Sequence, residues 1–157
     1  TFFMLSGSMI HDISSLRGMF GPPDEVVSAD IWRDGRCFTM VLSYEGDKRC
    51  VATWTDLPEL WDFRETLEVF GGSQRVSIQF PTGFDRGKPS PVTLQGMEEG
   101  TMPWKKELIV NTQNAFKLEL IHFHDCVTNR KTPITDGAGA RHDIKLVRDI
   151  VNTYLRV

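Results

Sequence analysis

The spacing of apolar residues changes from a helical to a strand period, and back again, along these 157 residues. From Ile10 to Phe20 they recur at three- and four-residue intervals, which predicts an amphipathic helix over residues 8–20. Apolar and polar residues then alternate through six segments, and the helical period returns near Asn114. A helix, a run of strands and two further helices are typical of an α+β domain. We predict a mostly antiparallel open sheet of about six strands with helices packed on one face.

Turn-forming residues separate the predicted elements. Gly21-Pro22-Pro23 ends the first helix because proline cannot extend its hydrogen-bond ladder. Strands are predicted over residues 27–32, 37–44, 49–54, 61–70, 76–80 and 92–95, and helices over 114–129 and beyond 139. Residues 81–91 are rich in proline, glycine and charge, which predicts a loop long enough to have a function. Residues 98–103 are predicted to be irregular. Nothing resembles a linker, so residues 1–157 are predicted to form one domain.

The charge balance argues against two classes of partner. Eighteen basic and 21 acidic residues give a net charge of −3, which offers no general attraction to nucleic acid or anionic membranes. No apolar run reaches the ~20 residues of a membrane span. The cysteines Cys37, Cys50 and Cys126 form no C-x-x-C pair, which favours reduced thiols in a cytoplasmic protein. The chain opens inside an apolar run rather than at a methionine, so we expect a fragment of a longer protein.

Familiar motifs for nucleotides and metals do not occur. No G-x-G-x-x-G or P-loop pattern is present, and Gly137-Ala138-Gly139 follows no buried strand. His122 and His124 would project about 200° apart on a helix, so they cannot bind one ion together. A metalloprotein built on His11, His122 and His124 is the least favoured reading.

His11 is the strongest single candidate for chemistry. The apolar stripe of the first helix runs through Ile10, Ile13 and Leu16, which places His11 off the core side. Imidazole can transfer protons near neutral pH. Asp12 and Ser8 lie beside it, where a ligand's hydroxyl could approach, and are the predicted substrate-binding residues. A capping or surface histidine is the alternative.

Two blocks resemble one known family, the glucose–fructose oxidoreductase/inositol dehydrogenase (Gfo/Idh/MocA) oxidoreductases. Residues 7–21, GSMIHDISSLRGMFG, resemble the family's G-x-x-x-D-x-x-x-H helix and the glycine that precedes its next strand. Residues 116–148, FKLELIHFHDCVTNRKTPITDGAGARHDIKLVR, are similar to its closing F-x-x-E-L-x-x-F pattern, acidic-glycine loop and final helix. The strands between these blocks match the family in number and order rather than in residues.

The resemblance implies the substrate-side C-terminal domain of an oxidoreductase, of the glyceraldehyde-phosphate-dehydrogenase-like type. Its own N-terminal Rossmann domain would bind NAD or NADP, and no cofactor is expected to bind this chain alone. The substrate would be a sugar, a polyol or a similar hydroxyl or carbonyl compound. The family's catalytic histidine corresponds to His11, which would act as an acid or a base. Its aspartate falls on Gly7 and the acidic residue of H-x-x-D falls on Ser14, so neither carboxylate is present.

A non-catalytic ligand-binding or dimerisation module of the same fold is the alternative function. An open sheet with helices on one side leaves its other face to be covered, and aromatic residues favour association. Trp54, Trp61 and Phe63 are the predicted strand aromatics for a homo-oligomer through that face. Packing of these side chains beneath the helices is the opposing expectation.

Overall fold

The computed structural model describes residues 1–60, 62–85, 87–110 and 112–156. Its helices and strands, in chain order, are α1 (Phe2–Gly7), α2 (Ile10–Phe20), β1 (Glu25–Trp32), β2 (Cys37–Tyr44), β3 (Lys48–Thr55), β4 (Glu65–Phe70), β5 (Gln74–Phe80), β6 (Pro91–Glu98), β7 (Met102–Ile109), α3 (Ala115–Asn129) and α4 (Gly137–Leu155). Neighbouring strands pair antiparallel. The predicted α+β class with an antiparallel arrangement is therefore confirmed.

The strands form two hydrogen-bonded sheets, and the chain divides into two compact units. Unit 1 comprises Thr1–Glu59 and Ile134–Val157, and unit 2 comprises Leu60–Pro133. Sheet order in unit 1 is β1-β2-β3, and in unit 2 it is β4-β5-β6-β7. The sequence predicted about six strands, and the described residues form seven.

The core of unit 1 lies between its sheet and its helices. The predicted alternation in β2 is realised, because Phe38, Met40, Leu42 and Tyr44 are all buried on one face. The opposing apolar residues come from α1, α2, α4 and the junction between α1 and α2. They are Leu5, Met9, Ile13, Val147 and Ile150. Each large apolar side chain buried here stabilises the fold by about 1.5–3 kcal/mol.

Helix boundaries follow local signals. α2 covers most of the predicted 8–20 segment and ends at Gly21, whose φ of 79° favours glycine. The side chain of Asn114 caps α3 by accepting from the N–H groups of Phe116 and Lys117. The side chain of Asp136 caps α4 by accepting from the N–H of Gly139 at 2.7 Å. These capping bonds satisfy N–H groups that have no partner within the helix.

Strand β7 is a correction to the sequence prediction. Residues 98–103 were expected to be irregular, but only a turn separates β6 from β7, and β7 starts at Met102. Its apolar residues Trp104 and Leu108 are separated by three charged residues, so the alternation that predicts a strand is missing. Most of β7 is exposed, and an exposed strand needs no period-2 pattern. The predicted strand over 61–70 is observed from Glu65, and Trp61 lies outside the described residues.

Among the described residues, no helix combines the length and apolar character required to cross a bilayer.

Candidate functional site

His11 lies in the first turn of α2, on the side turned away from the core. Its side chain is exposed, whereas Ile13 and Leu16 on the same helix are buried. The hydroxyl of Ser15 donates to the backbone carbonyl of His11 at 2.8 Å, within the helix. The imidazole is therefore accessible to a ligand, as the apolar stripe predicted.

Asp12 and Ser8 lie near His11 in sequence but in different surroundings. Asp12 is half-buried, and its charge acts on the thiol of Cys50 in β3. Burial raises the pKa of that thiol, and the negative charge of Asp12 raises it further. Ser8 is the half-buried residue that ends α1, and its N–H donates to the carbonyl of Met4 at 2.9 Å. Their predicted contact with substrate stays a prediction.

Tyr44 brings a buried hydroxyl beneath α2. The residue is only 5% exposed, and its ring makes an edge contact with Phe20 at a centroid distance of 6.0 Å. Its hydroxyl has no hydrogen-bond partner among the described residues. Burial raises the pKa of Tyr44 to about 12, with a smaller contribution from Cys50. The phenol therefore stays neutral at physiological pH.

The aromatic residues predicted for one sheet face have separate placements. Trp54 packs against the core of unit 1, on the face that the helices cover, and its buried indole N–H has no partner among the described residues. Phe63 lies outside the strands and is 46% exposed. Trp61 is outside the described residues. For Trp54, packing beneath the helices is the observed arrangement.

A buried ion pair ties α2 to α4. Arg17 Nε donates to Asp143 Oδ1 at 2.6 Å, and Arg17 Nη2 donates to Asp143 Oδ2 at 3.2 Å. Asp143 is 4% exposed, and Ser14 Oγ lies 3.3 Å from Arg17 Nη2. The pair fixes the helix that carries His11. Sequence reasoning missed it, although an aspartate four residues before Val147, within the buried stripe of α4, was an available signal.

A cleft of about 300 Å³ opens beside this ion pair. Its walls are Ile13 and Arg17 of α2, residues 22–26, Tyr44 of β2 and one side of α4. The carboxylates of Asp24 and Glu25 line it together with the cations of Lys145 and Arg156. Lys145 Nζ lies 2.6 Å from Asp149 Oδ2. This volume suits a small polar molecule, but His11 is not among the lining residues.

The histidines of α3 do not assemble into a metal site. His122 Nε2 lies 3.5 Å from the Sγ of Cys126, one helical turn away. His124 is exposed, while His122 is half-buried, as their spacing predicted. Across the described ranges there is no group of three or more His, Cys, Asp or Glu side chains that could hold a metal ion.

The residues of this chain do not fit a nicotinamide dinucleotide by themselves. Such a cofactor is held at a glycine-rich turn between a parallel strand and a helix. Every strand pairing in the described part of the chain is antiparallel, and no strand leads directly into α4 through Gly137 and Gly139.

Solved structures share this fold, although no family model matches the sequence and no curated protein shows significant similarity to it. A putative NADPH-dependent oxidoreductase from Desulfitobacterium hafniense superposes with a TM-score of 0.77 at 12% identity, over 96% of this chain and 45% of its own. A UDP-N-acetylglucosamine 3-dehydrogenase from Acidithiobacillus ferrooxidans has a TM-score of 0.70 at 12% identity, over 95% and 45%.

A third structure was solved with a nucleotide and a cofactor. It is a variant of a 3-ketoreductase from Actinomadura kijaniata in complex with TDP-benzene and NADP. It has a TM-score of 0.72 at 13% identity, over 94% of this chain and 46% of its own. This chain therefore spans about half the length of the structures it matches. The likeness establishes a fold shared with domains of oxidoreductases.

Proposed function

We propose that this chain is the substrate-side domain of an NAD(P)-dependent oxidoreductase that interconverts hydroxyl and carbonyl groups on a sugar or polyol. The observation that carries the proposal is the fold, which superposes at TM-scores of 0.70–0.77 on about half of longer oxidoreductases. Two of them are named for reactions on nucleotide-linked or ketone substrates. The sequence resemblance to the Gfo/Idh/MocA family points the same way. The nicotinamide would be bound by the other half of the full-length protein.

His11 is the residue of this chain that we propose for proton transfer. A hydroxyl group that becomes a carbonyl loses a hydride and a proton. The hydride would go to the oxidised nicotinamide held by the other half of the full-length protein, and a positioned imidazole can accept the proton through a ring nitrogen. Exposure of His11 at the start of α2 supports this role, because a base must reach the substrate's hydroxyl. The ion pair between Arg17 and Asp143 keeps the same helix in place.

The carboxylate chemistry differs from that of the resembled family. Gly7 and Ser14 replace the two acidic residues of the family pattern, so no carboxylate at those positions can orient His11. Asp12 is the acidic residue adjacent to His11 in sequence, and its charge acts on Cys50. We therefore propose that His11 transfers the proton without an acidic partner at either family position, and that Asp12 and Ser8 contribute to the substrate-binding surface.

The test uses the full-length protein encoded by the natural gene. Purified protein is mixed with NAD⁺ or NADP⁺ and a panel of sugars, polyols and nucleotide sugars, and formation of reduced nicotinamide is followed by absorbance. The proposal predicts turnover with at least one member of the panel. It also predicts that the protein binds the nicotinamide when no member of the panel is present. A protein that binds neither NAD(H) nor NADP(H) would contradict it.

Self-association through a sheet is the second candidate function. Leu67, Ile78, Val92 and Leu108 face one another across sheet β4-β7, and all four are only half-buried. Helix α3 belongs to the same unit but makes no extensive contact with these strands. We propose that a second copy covers this apolar face.

Sedimentation of the full-length protein should show a dimer or a larger assembly. Val92→Lys, on the apolar face, should weaken this assembly. Thr93→Lys, on the opposite and polar face of the same strand, should leave it unchanged. A monomer at high concentration would contradict this candidate.

A further inference from the structure

The apolar side of α3 is turned outward. Four residues recur at helical spacing within about 60° of one another around the helix axis. They are Phe116, Leu120, Phe123 and Val127, here called the α3 stripe, with exposures of 50%, 68%, 65% and 64%. A surface helix of a globular unit normally buries such a stripe and exposes its polar side. This stripe is therefore incomplete without a covering surface.

The more covered side of α3 is the one opposite the stripe. Leu118, His122 and Asp125 are half-buried, and each lies at least about 100° around the axis from every stripe residue. Within unit 2, α3 makes no extensive contact with the strands. The helix is nevertheless well formed, since Asn114 caps its start. Lys131 Nζ also pairs with Asp125 Oδ2 near its end, at 2.5 Å.

Phe84, in the loop that follows β5, extends the stripe. Phe84 is 86% exposed, and its ring centroid lies 6.0 Å from that of Phe116. Five apolar side chains thus form one continuous outward patch on a capped helix and its neighbouring loop. Contiguous apolar surface of this kind marks a place where protein packs on protein.

We propose that the α3 stripe, with Phe84, is the docking surface for the nucleotide-binding half of the full-length protein. This inference rests on the proposed function. The matched structures have about as much chain again as the part this chain covers. A partner in the same chain is held at high effective concentration, so a small surface suffices to dock it. A separate second copy usually needs about 800 Å² on each side, whereas the stripe runs over about three turns of one helix.

Cysteine labelling of the full-length protein tests this docking. Leu120→Cys and Phe123→Cys place thiols on the stripe, and Ile121→Cys is the matched control on the same helix, off the stripe. In this chain Leu120 is 68% exposed and Ile121 is 51% exposed. Without a docked partner, the stripe position should therefore react at least as fast as the control position. Maleimide labelling is followed by mass spectrometry of the peptide that contains each introduced cysteine, at two protein concentrations.

We expect both stripe thiols to react at least about tenfold more slowly than the thiol at position 121, at both concentrations. Equal rates at stripe and control positions would overturn the proposal. Protection that disappears on dilution would also overturn it, because a second copy would then be the occupant. Nicotinamide binding, measured on the same samples, separates the two hypotheses. Binding with an unprotected stripe refutes the docking alone, while absent binding refutes the proposed function and, with it, this occupant.

Discussion

Arg17 on α2 and Asp143 on α4 form a two-pronged ion pair, with 2.6 Å between Nε and Oδ1 and 3.2 Å between Nη2 and Oδ2. The side chain of Asp143 is 5% exposed and that of Arg17 is 22% exposed. The two residues are distant in sequence, so the pair joins the start of the chain to its last helix. It holds α2, and hence His11, against the rest of unit 1.

Removal of one partner of this pair should be costly. Asp143→Ala leaves the partly exposed guanidinium of Arg17 without its two charge-assisted hydrogen bonds, and we expect a loss of about 2 kcal/mol in the free energy of unfolding. Asp149→Ala is the control, because Asp149 pairs with the exposed cations Lys145 and Arg148. That change should cost under about 1 kcal/mol. Urea denaturation measures both, and equal losses would contradict the assigned importance of the buried pair.

Two glycines at the start of α4 should respond to alanine with opposite signs. A Cβ on Gly139 would lie 2.7 Å from Arg17 Nη2, whereas one on Gly137 would meet nothing within 4 Å. Gly139→Ala should therefore displace the guanidinium and destabilise the protein by about 1–2 kcal/mol. Gly137→Ala should stabilise the protein by about 0.5 kcal/mol, because alanine reduces the conformational entropy of the unfolded chain.

The mechanism of the Gly139 effect can be isolated in a second background. When Arg17→Ala has already removed the guanidinium, Gly139→Ala should no longer destabilise the protein. Thermal denaturation of the four variants of this cycle measures the coupling between the two positions. Additive effects would show that the close approach to Arg17 is not the cause.

Tyr44 should make the protein sensitive to alkaline pH. Burial raises the pKa of its hydroxyl from 10.0 to about 12, so the folded protein keeps a proton that the unfolded chain releases. The fold therefore loses stability as the pH rises from 10 towards 12, because deprotonation of Tyr44 is easier in the unfolded chain. Tyr44→Phe should reduce this loss. At neutral pH it should also stabilise the fold by about 1 kcal/mol, because it removes a buried hydroxyl that no described residue hydrogen-bonds.

The control for this prediction is Tyr154→Phe, since Tyr154 is 37% exposed on α4. Urea denaturation at several pH values between neutral and alkaline measures the free energy of unfolding of each variant. An alkaline loss of stability that is the same in Tyr44→Phe as in the parent protein would contradict the account.

The sequence predicted best where burial imposes a period. β2 alternates between Phe38, Met40 and the residues between them because one face lies against the helices, and its predicted bounds are those observed. β7 was missed because most of its residues are exposed, and hydropathy carries no signal for a strand that buries little. The pair Arg17–Asp143 was missed because a contact between distant positions is fixed by packing and not by local pattern.

The site predictions show the same limit. The exposure of His11 followed from the apolar stripe of its own helix, whereas the influence of Asp12 on the pKa of Cys50 depends on the tertiary structure. Trp54 was predicted to lie with Trp61 and Phe63 on the sheet face that mediates self-association. The alternation of residues within one strand shows which side chains share a face, but it does not show which face the helices cover. Which face the helices cover is a property of the tertiary structure.

Turnover of the His11→Asn variant is the most direct test of the account. In the full-length protein, with the substrate that supports nicotinamide reduction, we expect kcat to fall by about two orders of magnitude or more. His124→Asn, an exposed histidine on α3, should leave kcat unchanged. If His11→Asn turns over at the parental rate, proton transfer by His11 is contradicted.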